Sequence, residues 1–360
     1  MKPAVALATI AMDRMAGGLE RNVAYLANDL AEAGHRVVLV TFDPPGAQAF
    51  YDLHPAVVWR RMDGRPHTAI GFRDRLRLIQ RMRRVLIEDG VGQIVCFHHG
   101  ILARFLMARA GLNVRLVCSE RNALSLYRYA STRKWNLNFL LMAFVDRITV
   151  QFARYAQDYP AWLRRKISVV HNPVWPVAPS TGEREAVILS VGRHSTQKRF
   201  DLLIQAFVRI AADRPEWRLK IIGDGPLMAA NAAAAQASGV GDRIELLPAM
   251  SGVQGVMAAS EIYCQPSQWE GFPNALAEAM ANGAVPVGFR ETAGVSDLIR
   301  DGVDGRLVDG PPDPAALAHG LAEVMDAPDL RRRLSEAARQ LPERYSAASW
   351  RQAWREVLAL

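Results

Sequence analysis

Short apolar runs alternate with helical patterns along almost the whole chain, and this rhythm narrows the fold more than any other feature. In the first half it predicts strands at Ala4–Ile10, Arg36–Phe42, Val57–Met62, Gln93–His98, Val114–Ser119, Arg147–Gln151 and Ile167–Val170. Helical patterns fall between them at Leu19–Ala33, Phe72–Glu88, Leu102–Ala110 and around Trp135–Phe144. Strands that are apolar throughout must be covered on both faces, so this pattern describes a parallel sheet with helices on either side. Pro173, Pro176 and Pro179 then fall close together, followed by Ser180, Thr181 and Gly182, which marks a linker over 173–183. Beyond it the rhythm restarts, with strands at Ala186–Val191, Arg218–Ile222, Ile244–Leu247, Ile262–Gln265, Val285–Phe289 and Gly305–Val308. Helices are predicted there at Phe200–Ala212, Pro226–Ala237, Val253–Ala259, Asn274–Ala281, Pro314–Met325 and Asp329–Gln340. The expected fold is therefore α/β, with two Rossmann-like, doubly wound parallel-sheet domains at 1–172 and 184–342 facing a cleft. A chain of 360 residues suffices for two cores.

Other classes are set aside by composition. No apolar run reaches the ~18 residues a bilayer span requires. Met1–Leu7 reads as a first buried strand rather than a signal peptide, because helix and strand patterns continue directly after it. Cys96, Cys118 and Cys264 sit in apolar strand-like runs without metal spacing, as small buried hydrophobes of a reducing compartment do. The net charge of +8 is uneven: residues 1–175 hold 25 Lys+Arg and 13 Asp+Glu, residues 176–360 hold 19 and 23. A basic first half suits nucleic acid, anionic lipid or a phosphorylated substrate.

The chemistry-bearing residues cluster where predicted strands end. Glu270-Gly271-Phe272-Pro273-Asn274-Ala275-Leu276-Ala277-Glu278 places a carboxylate, a tight turn, a helix start and a second carboxylate in succession. A helix start presents N–H groups and partial positive charge to a phosphate, while flanking carboxylates accept from hydroxyls. Phosphates in the middle and hydroxyls at both ends describe a nucleotide sugar. Gly192-Arg193 and Lys198 follow another strand, and a planar fork beside a point charge suits a diphosphate. Gly223-Asp224-Gly225-Pro226 makes a third glycine-framed turn, and Gly17-Gly18 a fourth. The dinucleotide pattern G-x-G-x-x-G is absent, so nothing supports a nicotinamide cofactor.

In order and approximate spacing, Gly17-Gly18-x-Glu20-Arg21, Gly192-Arg193 with Lys198, Gly223-x-Gly225-Pro226, and Glu270 with Glu278 resemble the retaining glycosyltransferases of the GT-B fold, family four. The resemblance spans nearly the whole chain and is strongest from Val187 to Val308. Its wording is most similar to the branch that extends bacterial surface polysaccharide, lipopolysaccharide and lipid-linked oligosaccharides. It implies that Arg193 and Lys198 hold the donor diphosphate, that Glu270 accepts from sugar hydroxyls beside Gly271 and Phe272, and that Glu278 binds ribose. Ala275 and Leu276 would offer N–H groups to phosphate, and Gly17 and Gly18 would let the backbone approach the donor. His98, with His99 close behind, matches a histidine that touches the donor sugar. Glu120, Arg121 and Asn122 resemble an acceptor-side signature. His171-Asn172-Pro173 matches a turn that is either a ligand contact or a plain hinge. The segment 343–360, carrying Trp350 and Trp354, would cross back to the N-terminal domain. A UDP-sugar, a lipid-linked or glycan acceptor, no metal or other cofactor, and a cytoplasmic site at the inner membrane face are implied. The chain departs from the family pattern at Arg199, where Gly is frequent, and at His194, where an apolar residue is usual.

Two rivals remain at this stage: a nucleotide-sugar epimerase or sugar phosphorylase on the same fold, and a basic nucleic-acid-binding protein. The second lacks any interleaved basic–aromatic strand signature. The helix pattern Phe72–Leu86 places Arg73, Arg77, Arg81 and Arg84 on one face and Leu78, Met82 and Val85 on another. It reads either as a solvated surface helix or as one drawn to anionic lipid.

Overall fold

The computed structural model describes residues 3–15, 17–63, 71–124, 137–178 and 182–360. Met1, Lys2, Trp135 and Pro179–Thr181, invoked above, lie outside them. The chain forms two compact units, residues 1–171 with 350–360, and residues 172–349.

In the first unit the strands are β1 (Ala4–Ala8), β2 (Val37–Thr41), β3 (Val58–Arg61), β4 (Val91–Cys96), β5 (Arg115–Ser119), β6 (Arg147–Val150) and β7 (Ile167–Val169). They make one seven-stranded parallel sheet in the order β3-β2-β1-β4-β5-β6-β7. In the second unit β8 (Glu185–Val191), β9 (Arg218–Ile222), β10 (Ile244–Leu247), β11 (Ser260–Gln265), β12 (Val285–Phe289) and β13 (Arg306–Val308) follow. These six are also parallel, in the order β10-β9-β8-β11-β12-β13. Each sheet thus runs outward from its first strand in both directions. The order reverses between β1 and β4, and between β8 and β11, the places where doubly wound sheets generally take their ligands.

Burial explains the strands. All five residues of β1, β2 and β12 are buried, as expected for strands covered on both faces. Phe200, Leu203, Ile204 and Phe207 of the helix Phe200–Ala211 pack with Leu219, Ile221, Val285 and Leu321 in the second core. Each such side chain contributes roughly 1.5–3 kcal/mol of burial. In the first core Trp350 and Trp354 of the terminal helix Ala347–Leu358 pack beside Leu26, Leu30 and Phe97. Arg351 also bonds Asp29.

The predicted strands run long at their carboxyl ends. Thr9 and Ile10 lie beyond β1, and Phe97 and His98 beyond β4; Thr9 and Phe97 still donate to Val40 O and Ala8 O at the sheet's carboxyl edge as the chain turns into the reversal loops. The helix expected from Pro226 starts at Met228, since Leu227 N donates to His194 O and Met228 N to Gly225 O, which keeps this stretch a turn. A short helix, Val295–Leu298, has no periodic signal and was not predicted. Asn172, the last residue of the expected first domain, and residues 173–175, at the start of the expected linker, join the second unit: Val174 is buried and its N–H donates to Tyr345 O.

Candidate active site

The loops that leave β8 and β11 form a continuous polar network in the second unit. Lys198 Nζ donates to Glu270 Oε1 at 2.7 Å, and both side chains are largely buried. Gln265 Nε2 donates to the same oxygen at 3.0 Å and to Ser267 Oγ at 2.6 Å. Backbone links tie the two loops: Gln268 N donates to Gln197 O, and Gln197 Nε2 to Trp269 O. Arg193, beside them, is exposed.

Glycines make the close approaches possible. Gly223, at φ +147°, lies so near the β8 loop that a Cβ there would sit 2.0 Å from Gly192 O. Gly294, at φ +82°, plays the same part against the Glu270–Pro273 turn, where a Cβ would meet Gly271 O at 2.6 Å. Sequence reading missed Gly294, because one Gly in Thr292-Ala293-Gly294 carries no signal until Thr292 Oγ1 is seen donating to Ser267 O. Gln265 and Tyr263 were missed because both read as interior strand residues.

Glu270 feeds the turn into the helix Asn274–Ala281, with Pro273 as its N-cap. The first intrahelical bond is donated by Ala277 to Pro273 O, so Asn274, Ala275 and Leu276 present their N–H groups ahead of it. Gly271 and Phe272 are buried in the turn, Phe272 edge-on to Tyr345. Glu278, half-buried one turn further along, accepts from Gln254 Nε2 at 3.0 Å. Asn172 Nδ2 donates to Asn274 Oδ1 at 2.7 Å, so the Asn172 turn braces this helix start.

The two departures from the family pattern have local explanations. Arg199 adopts the left-handed conformation (φ 50°, ψ 42°), which explains why glycine suits this position, and its guanidinium turns to Asp201. His194 is fully buried, its Nδ1 bonded to Asn231 Nδ2 at 2.9 Å and its ring edge-on to Phe200. Burial pushes its pKa below the ordinary histidine value, so the ring is a neutral peg under the loop.

In the first unit the loops leaving β4 and β5 meet. His99 Nδ1 lies 2.6 Å from Glu120 Oε2, with both side chains buried. His98 stacks on His99, with ring centroids 4.8 Å apart, while its Nδ1 accepts from Gly100 N. Glu120 Oε1 also accepts from Arg121 N, and Arg121 lies over the Phe97 ring. Burial brings the Arg121 guanidinium down to about 10, against the pull of Glu120. Asn122 follows, half-buried. The structure therefore brings His98, His99, Glu120 and Arg121 together at one strand-end cluster. Gly17, on the other side of the β1 loop, is the N-cap of the helix Gly18–Glu32. Glu20 folds back so closely that a Cβ on Gly17 would meet Glu20 Oε2 at 2.1 Å. Burial raises the Glu20 pKa. Among the described residues no three His, Cys, Asp or Glu side chains converge as a metal site requires.

Such a site can neutralise a diphosphate, offer amides to phosphate oxygens and accept hydrogen bonds from hydroxyls. Two family models match the chain: "Glyco_transf_4: Glycosyltransferase Family 4" over residues 16–176, and "Glycosyl transferases group 1" over 174–341. An uncharacterized glycosyltransferase of Haemophilus influenzae is 25% identical over 346 residues, 95% of this chain and 96% of that one. A Campylobacter jejuni alpha-1,4-N-acetyl-D-galactosaminyltransferase, named for a glycan on PP-undecaprenol, is 24% identical over 95% of both chains. Among solved structures, Anabaena HepE in complex with UDP and glucose aligns with TM-score 0.80 at 17% identity, over 99% of this chain and 100% of that one. A mutant TarM from S. aureus with Fondaparinux, alpha-GlcNAc-glycerol and UDP gives TM-score 0.80 at 13% identity, over 99% of each chain.

Proposed function

We infer the reaction from one premise: the chain belongs to the family four and group 1 glycosyltransferases, and is an enzyme of GT-B fold. We propose that it is a retaining transferase. It moves a hexose or N-acetylhexosamine from a UDP-sugar to a lipid-linked or polysaccharide acceptor during cell-envelope glycan synthesis, without a metal. The observation that carries this reading is the Lys198–Glu270 pair, set at 2.7 Å immediately before a helix start. Lys198 and Arg193 meet the diphosphate, and the N–H groups of Ala275 and Leu276 extend that binding. Glu270 accepts from sugar hydroxyls and Glu278 from the ribose. Positive charge placed where the leaving diphosphate gains negative charge favours the transition state over the ground state. The N-terminal domain takes the acceptor, with Glu120, Arg121 and Asn122 on that side, while His98 meets the donor sugar. The relatives that match UDP complexes and the PP-undecaprenol-named enzyme support this choice of donor and acceptor class.

The test is transfer of radiolabelled sugar from a panel of UDP-sugars into bacterial lipid extract, with the anomeric configuration of the product read by NMR. Label in the lipid fraction with retained configuration is expected. Conversion of the UDP-sugar without acceptor would instead identify an epimerase, and an inverted product would refute retention.

A lipid-linked acceptor lies at a membrane, and no described helix is long and apolar enough to cross one. The helix Phe72–Glu88 supplies a surface contact in this reading. Its inner face buries Leu78, Met82, Val85 and Leu86, and Arg81 and Arg83 are tied to backbone carbonyls of the unit. Its first turns expose Phe72 (79%) and Leu76 (47%) among exposed Arg73, Arg75 and Arg77. Near an anionic surface each arginine contributes about 1 kcal/mol. Replacing all three by Ser is therefore expected to weaken binding to phosphatidylglycerol vesicles by roughly a hundredfold. Vesicle co-sedimentation checks this. Unchanged binding, or equal binding to neutral vesicles, refutes the contact. High salt should release the wild-type protein.

A further inference from the structure

We propose that Gln265 is a positioning residue for the transfer reaction: its side-chain amide, itself oriented by Tyr263, fixes the carboxylate of Glu270. The inference rests on the reading of Glu270 as the acceptor of sugar hydroxyls, and adds what holds that group in place. β11 brings Tyr263 and Gln265 to the same side, two residues apart, and both are fully buried. Gln265 Nε2 reaches Glu270 Oε1 at 3.0 Å and Ser267 Oγ at 2.6 Å. Its other end, Oε1, accepts from Tyr263 OH at 3.2 Å. The phenol is anchored in turn by Val191, accepting from its N–H at 3.3 Å, and its one proton is shared between Gln265 Oε1 and Val191 O, each at 3.2 Å. Burial, with Glu270 and Glu278 adding to it, holds the Tyr263 pKa well above its ordinary value, so the hydroxyl keeps the proton it donates.

The carboxylate settles which way the amide faces: flipped, Gln265 would point its carbonyl oxygen at Glu270 Oε1, acceptor against acceptor. Glu270 Oε1 therefore receives two donors of different origin, Lys198 from the β8 loop and Gln265 from β11. One donor would leave the carboxylate free to rotate about that bond; two from different directions fix its plane. In a buried network each member's orientation depends on the next. A sugar hydroxyl that must meet Glu270 then finds it already placed.

Gln265→Leu removes the donor at similar volume. The expected result is a kcat lower by roughly tenfold to a hundredfold, the scale of a small misplacement, with UDP affinity little changed and a lower melting temperature, since buried Tyr263, Ser267 and Glu270 each lose a partner. Gln265→Glu gives a sharper readout. It sets a second carboxylate beside Glu270, and two such groups cannot both ionise at that distance. With one proton shared the hydrogen bond is remade, so this variant should recover towards the wild-type rate as pH falls and lose it as pH rises. A residue that only filled space would not produce that acid-side rescue. Glu270→Ala is measured in the same assay. If it retains full transfer, the reading of Glu270 fails. If it is inactive while Gln265→Leu turns over at the wild-type rate, or Gln265→Glu shows no recovery at low pH, the positioning role fails alone. Should Gln265→Leu not fold, the pH profile of Gln265→Glu decides.

Discussion

Lys198→Ala is expected to lower kcat/KM for sugar transfer by about 10²–10³, the usual loss when one preorganised electrostatic group is removed. Glu270→Ala should cost as much, and the double variant little more than either alone. That shortfall follows from geometry. Lys198 Nζ and Glu270 Oε1 are 2.7 Å apart and largely shielded from water, so each is the other's principal charge partner. Removing one leaves the other desolvated and misplaced, which already undoes most of the second group's contribution. The single variants should also lose stability, by up to about 3–5 kcal/mol if no water enters to solvate the remaining charge. Gln265 still donates to Glu270 after Lys198 is lost, so Lys198→Ala should be the milder of the two in urea unfolding. Steady-state kinetics and urea denaturation of the three variants check the set. If the two losses multiply in the double variant, the residues act independently, and the shared network is not what organises the site.

Much of this could be read from sequence, for identifiable reasons. Parallel strands buried on both faces leave continuous apolar runs, so β12 falls where the pattern puts it and β2 within one residue at each end; β9 and β10, only partly buried, match as well, and the reversal of strand order follows from repeated strand–helix units. Glu270, Lys198 and the helix start at Asn274 were legible because chain order alone brings a carboxylate, a turn and a helix together. What escaped depends on long-range contact. Gln265 and Tyr263 look like strand interior; Gln265 reaches Glu270 only because the chain turns back on itself after β11, and β8 adds the Val191 anchor for Tyr263. His98 and His99 are indistinguishable as a pair in sequence. It is the neighbouring strand β5 that places Glu120 against His99 and leaves His98 to accept from its own turn. Arg199 is a third case: the cation is visible in sequence, but its left-handed backbone is not.

The glycine contacts give the second large expectation. Gly223→Ala should destabilise the protein by about 3 kcal/mol or more and lower UDP affinity by at least about 10²-fold, a far greater effect than glycine replacement at other turns. A φ of +147° is backbone that side-chain-bearing residues rarely adopt, and here the new Cβ would also fall 2.0 Å from Gly192 O. That atom is backbone and cannot swing aside. Gly192 N is already bonded to Ile222 O, and Gly223 N to Leu247 O, so neither strand end can retreat without breaking a ladder-end hydrogen bond. The β8 loop would have to move, taking Arg193 and Lys198 with it. Gly239→Ala separates the two components of this cost. Gly239 has φ +79° in the same unit, with nothing within 4 Å of a Cβ built there. It should therefore cost only about 1–2 kcal/mol for the left-handed backbone and leave UDP binding intact. Thermal melts with and without UDP compare the two. Equal losses of affinity would mean that backbone strain alone governs the site; a loss confined to Gly223→Ala would mean that the close approach of β9 to the β8 loop sets the position of the cations.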